Sequence, residues 1–161
     1  MDRAEFILKC NEKLKLIRTE FGFSQEKAAQ ILGLSKKTVV EIEKGRSSLG
    51  WTGSVTLCTI FDNSEILAAT FGGSPADVIL ILAFKDCGPF EEGKSPFYLM
   101  KTLGGKIWWK PVVEQGSFVI QQNIITQHYR ILDGEDKRLL FSFDFDRVKE
   151  RFDYLCTEQK I

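Results

Sequence analysis

The residues best placed to do chemistry lie in KKTVVEIEKGR at 36–46. At helical spacing Lys36, Lys37, Val40 and Glu41 fall on one short face. The lysine ammonium groups can donate to guanine O6 and N7 or to a phosphate. Glu41 can accept from a cytosine amine, and Val40 can lie against a thymine methyl. Thr38 and Arg46 flank the face, where a hydroxyl and a guanidinium can meet phosphate. The competing reading of the same residues is a solvated basic helix that touches no nucleic acid.

Such a face needs a rigid mount, and the surrounding residues supply one. Between Phe23 and Arg46 the sequence predicts two short helices joined by a tight turn. Ser24 caps the first helix, whose inward face is Ala28, Ala29 and Leu32. Gly33 supplies a turn residue tolerant of positive φ, and Leu34 closes the corner. Ser35 caps the second helix, which buries Val39 and Ile42 and stops at Gly45. The small Ala29 lets the two helices cross closely. The outward face then has the size of a major groove.

SQEKAAQILGLSKKTVVEIEKGR resembles the Xre family, the helix-turn-helix class of phage repressors and Cro proteins. The agreement runs through SQ, then A, then G, then a Ser or Thr cap, then V, then IE and G. It covers about the first 65 residues, up to about 68, and is silent on the rest. The resemblance implies a compact five-helix bundle that binds double-stranded DNA. It also implies that Gln25 matches a residue that bonds the DNA backbone in relatives. Arg18 and Glu43 sit where family members carry an arginine and a glutamate, which implies a partly buried structural ion pair. Family members often have a small polar residue at the Val40 position, so the base contact assigned to Val40 rests on helix-face geometry alone.

The chain has 161 residues, enough for one medium domain or two small ones, and its 43% hydrophobic and 27% charged content is that of an ordinary globular protein. No apolar run is long enough to span a bilayer; VILILAF at 78–84 is far too short. The opening MDRAEFILKCNEK is too charged for a secretory signal. Cys10, Cys58, Cys87 and Cys156 are scattered without a CxxC pair and read as reduced thiols. These features together predict a cytoplasmic protein. Net charge is formally zero, but residues 1–50 carry ten Lys and Arg against seven Asp and Glu, leaving +3, and residues 51–161 carry the compensating −3. The positive excess sits with the candidate reading face.

Along the chain, Phe6, Cys10, Leu14, Ile17 and Phe21 form one stripe of a first helix over 3–21, ended by Gly22. After Arg46, apolar residues Val55, Leu57, Ile60 and Phe61 predict another helix, and a shorter one starts near Asn63 or Ser64. Trp51 reads as an aromatic plug on the bundle in preference to a wedge against the duplex. FGGSP at 71–75 is the clearest break, and Ser74–Pro75 starts a bridging helix. The stretch 87–96 reads as loop. From Phe97 the runs FYLMKTL, KIWWKPVV, SFVIQQN, QHYRIL and RLLFSF predict antiparallel strands, with turns at 104–105, 114–117 and 133–136. Asp144 caps a closing helix whose inward face is Phe145, Val148, Phe152 and Leu155.

The expected fold is therefore α+β: a helix-turn-helix domain over 1–71, then a small antiparallel sheet domain closed by a C-terminal helix over 72–161. The second domain is expected to dimerise the chain or to sense a small-molecule effector. In it, alternation sends Trp108 and Trp109 to opposite faces, and His128 is the only histidine. With Lys110, Tyr129 and Arg130 nearby, core or edge packing and a small pocket are both open readings. No second histidine or carboxylate stands at metal-ligand spacing, and no catalytic triad, phosphate loop or nucleophile elbow occurs. The expectation is no metal, no cofactor and no catalysis. The function expected is a transcriptional regulator, a repressor that binds a palindromic operator as a homodimer. The alternative is an antitoxin-like or adaptor protein acting through protein contacts of its C-terminal half; an enzyme fused to a DNA-binding domain ranks third.

Overall fold

A computed structural model describes residues 1–85 and 106–158. The fold is α+β, with helices first, then a four-stranded antiparallel sheet and a final helix. It divides into two units, Met1–Ile79 and Leu80–Ile161. The turn expected at Gly104–Gly105, the strand FYLMKTL, the loop over 87–96 and Cys87 lie outside the described residues.

The first unit is built around α1 (Arg3–Glu20), capped by the Asp2 carboxylate, which accepts from the Glu5 N–H at 2.8 Å. Phe6, Cys10, Leu14 and Ile17 recur at four- and three-residue steps and are fully buried. Each large apolar side chain so buried contributes about 1.5–3 kcal/mol relative to exposure. Phe21 does not complete this stripe. The helix has ended at Glu20, so Phe21 is 38% exposed; it stacks instead on Phe23 and meets Phe61 edge-on. The bundle continues with α2 (Gln25–Leu32), α3 (Lys36–Glu43), α4 (Gly50–Ile60) and α5 (Glu65–Phe71). Leu57 and Cys58 carry the buried face of α4, which continues to Phe61, whereas Ile60 lies off it and is exposed. Trp51 packs on Phe6 with ring centres 5.6 Å apart, and Arg3 lies over its ring.

Polar side chains tie the helices where their backbone groups lack partners. Glu20, at the end of α1, accepts from the Glu65 N–H at 2.7 Å and from the Ser64 hydroxyl, which itself caps α5. Asn11 accepts from the Leu49 N–H at 2.9 Å and donates to Ser48 Oγ, fixing the chain between α3 and α4. The Cys10 and Cys58 sulfurs touch at 3.8 Å in the core. That contact, together with burial, pushes the Cys58 thiol far up.

Helix α6 (Pro75–Ala83) starts at the Ser-Pro signal. In the second unit a single 3₁₀ turn, Lys106–Trp108, leads into β1 (Trp109–Gln115). Then follow β2 (Phe118–Asn123), β3 (Tyr129–Leu132), β4 (Arg138–Ser142) and α7 (Phe145–Glu158), with the strands paired in sequence order. The β1–β2 turn uses Gly116 at φ 61°. The β3–β4 turn is held by the Asp133 carboxylate, which accepts from the Glu135 and Lys137 N–H groups. Phe118 and Ile120 of β2 and Ile131 of β3 pack with Val148, Phe152 and Cys156 of α7, joined by the half-buried Phe145 and Leu155. Leu139 and Leu140 join that cluster, while Phe141 and Phe143 meet Leu80, Ile81 and Phe84.

Candidate nucleic-acid interface

The mount of the reading face follows from local rules. Ser24 Oγ accepts from the Lys27 N–H at 3.1 Å and starts α2. Gly33 takes φ 68°, ψ 30°, the left-handed conformation that only glycine adopts without penalty, and the Leu34 N–H then returns to Ala29 O at 2.8 Å. Ser35 Oγ accepts from the Thr38 N–H at 3.0 Å and starts α3. Ala28, Ala29, Val39 and Ile42 are buried, which fixes which side of α3 turns outward. On that side Lys36 and Lys37 are exposed, and Val40 and Glu41 are half-buried. Thr38 is half-buried and its hydroxyl shares a 2.8 Å hydrogen bond with Ser35 Oγ, while Arg46 lies exposed beyond the helix end.

Behind this face the Glu43 carboxylate gathers three elements. Arg18 of α1 donates from Nε to Oε1 and from Nη2 to Oε2, the latter at 3.0 Å, and its Nη1 reaches the Phe23 carbonyl oxygen at 3.1 Å. Gln25 at the start of α2 donates to Oε2 at 2.8 Å. Burial pushes the Glu43 carboxyl up, but the hydrogen bonds from Arg18 and Gln25 outweigh it, and the group sits below the ordinary carboxylate range. The bond to Glu43 in turn raises Arg18. The Gln25 amide is thereby held against the Arg18–Glu43 pair.

Two of the cations have acidic neighbours, one of them, Glu26, new from the structure. Lys36 Nζ lies 3.4 Å from Glu26 Oε2, and Arg46 Nη1 lies 3.9 Å from Glu41 Oε2. Glu26 escapes a reading by helix period because its contact crosses the turn between two helices. The only available signal is its place two residues after the Ser24 cap, facing the start of α3. Beside the face, a cavity of about 410 Å³ opens between α1 and the end of α3, lined by Leu8, Asn11, Leu16, Ile42 and Gly45 among others.

The second unit brings the other sequence candidates together as packing. Trp108 belongs to the 3₁₀ turn, so strand alternation does not separate it from Trp109; both are half-buried. His128 is 1% exposed, shares a 2.6 Å hydrogen bond with Thr126 through Nδ1, and packs edge-on against Trp109 and Phe143. Its Nε2 is buried without a hydrogen-bond partner. Burial, then the nearby Arg130 and Arg138 charges, lower its pKa to about 3, so the ring is neutral. The Arg130 guanidinium lies over the Trp109 ring at 3.8 Å and donates twice to Gln121 Oε1. Lys110 is exposed, and the Tyr129 hydroxyl accepts from Gln122. Among the described residues no three His, Cys, Asp or Glu side chains gather as a metal cluster, and no single helix is long and apolar enough to cross a membrane.

Comparison with known proteins places this geometry. Neither a curated protein nor a solved structure matches the chain. The family model of the helix-turn-helix matches residues 14–50, which run from the second half of α1 through α2 and α3 to the start of α4. That match supports a DNA-binding regulator of transcription. Residues 14–50 are thus similar to the helix-turn-helix family.

Proposed function

We propose that the protein is a repressor that binds a palindromic operator as a homodimer, with no catalytic activity of its own. The observation that carries the reading is the outward side of α3, where Lys36 and Lys37 are exposed opposite the buried Val39 and Ile42. Each α3 enters a major groove, with half-sites about one helical turn apart. Lys36, Lys37, Val40 and Glu41 meet base edges; Gln25, Thr38 and Arg46 meet phosphates on either side. The region over 72–161 supplies the dimer contact or a small-molecule effector site.

Fluorescence anisotropy with the duplex upstream of the protein's own coding sequence tests this, with salt varied throughout. Tight binding that weakens steeply with salt and is lost in Lys36→Ala plus Lys37→Ala supports the reading. A folded wild-type chain that binds no upstream duplex overturns it. A second reading, an adaptor or antitoxin-like protein, draws on Ile107, Ile124 and Ile125 of the second unit, which are exposed apolar side chains near one end of the sheet.

A further inference from the structure

Lys36 and Arg46 of the reading face each have an acidic partner. Lys36 is 60% exposed and its partner Glu26 is 64% exposed, so their pair sits in solvent, where such a bond is weak and readily exchanged. Glu41 stands in the same relation to Arg46 at the other end of α3. No ion pair to Lys37 occurs among the described residues. Glu26 is the second residue of α2, at a helix start that would otherwise welcome phosphate, and it brings a negative charge to that place.

We infer that Glu26 is a specificity-setting residue of the DNA interface, which holds Lys36 and releases it only to a matching base. The inference rests on the DNA-reading role of α3 proposed above. To touch DNA Lys36 must leave Glu26, and whether it does depends on what the sequence offers in exchange. A guanine whose O6 and N7 face Lys36 replaces the lost partner with a directed contact. A non-matching sequence offers only diffuse phosphate attraction, against which Glu26 keeps its hold on Lys36. Glu26 therefore penalises wrong sequences more than the right one, the repulsive element that discrimination commonly needs.

The experiment uses the full chain and two labelled duplexes of equal length: the region upstream of its own coding sequence and a mixed-sequence control. Glu26→Gln keeps the side-chain shape at an exposed position, and circular dichroism checks the fold of each variant. The expected result is about two- to fivefold tighter binding to the mixed duplex, with a smaller gain on the upstream duplex. In a Lys36→Ala background the gain from Glu26→Gln should disappear. An unchanged mixed-duplex affinity, equal gains on both duplexes, or a gain that persists without Lys36 overturns the inference while leaving the DNA-reading role intact. A folded wild-type chain that binds neither duplex overturns that role, and the inference with it.

Discussion

Arg18 and Glu43, 25 residues apart, meet in a two-pronged ion pair that fastens α1 to the inner side of α3, and Glu43 is only 5% exposed. Removing either partner strands the other charge in a poorly hydrated place. Arg18→Ala or Glu43→Ala should therefore each cost about 3 kcal/mol in stability, while the apolar double replacement Arg18→Met plus Glu43→Leu should cost much less. Urea unfolding of the four proteins checks this, and equal losses for single and double variants would refute it. Because folding lowers the Glu43 pKa, its contribution is complete above the ordinary value of 4.5 and is lost as pH falls through the lowered value. Glu43→Gln should flatten stability in that acid range.

The parts of this arrangement that are readable from sequence obey local rules. Ser24, Gly33 and Ser35 announce the caps and the left-handed turn because each acts on backbone within three or four residues. The buried stripe of α1 is readable for the same reason, up to the point where the helix ends and Phe21 leaves it. The Arg18–Glu43 pair is expected from family resemblance, not from spacing. The Glu26–Lys36 contact depends on how α2 crosses α3, which a one-dimensional period does not encode. Likewise Trp108 and Trp109 look like alternating strand residues, yet the 3₁₀ turn removes Trp108 from the strand. His128 reads as a lone polar residue, and its burial against Trp109 and Phe143 depends on sheet geometry.

His128 gives the second unit a distinct pH response. The folded chain holds its pKa at about 3, against an ordinary 6.5, so between these values the unfolded chain binds a proton that the folded chain does not. Stability is complete above 6.5 and falls as pH drops through this window. Between pH 6.5 and about pH 5 the loss should reach about 2 kcal/mol, in a range where Glu43 is still ionised. His128→Phe should cost about 1 kcal/mol at neutral pH, since Thr126 loses its partner, but should remove most of this slope. Urea midpoints of both proteins from neutral pH down to about 5 give the comparison. An identical slope in the variant would assign the acid response elsewhere.

Gly33 sets the angle between α2 and α3, and its contribution is a backbone effect separable from packing. Its φ is 68°, and a Cβ built there meets nothing within 4 Å, so a Cβ is opposed by conformation and not by a clash. Gly33→Ala should then destabilise the chain by about 1–2 kcal/mol, the cost of holding an L-residue in the left-handed region. Gly33→Asn should cost less, because asparagine tolerates that region. The order glycine, asparagine, alanine in urea midpoints is the signature of a φ-controlled turn. Equal losses for asparagine and alanine would point to an unseen steric contact. If the turn relaxes to relieve the strain, α3 tilts relative to α2 and the face carrying Lys36 and Lys37 is turned from its aim. DNA affinity would then fall by more than the folded fraction does, and measuring both in Gly33→Ala separates a lost fold from a misaimed reading face.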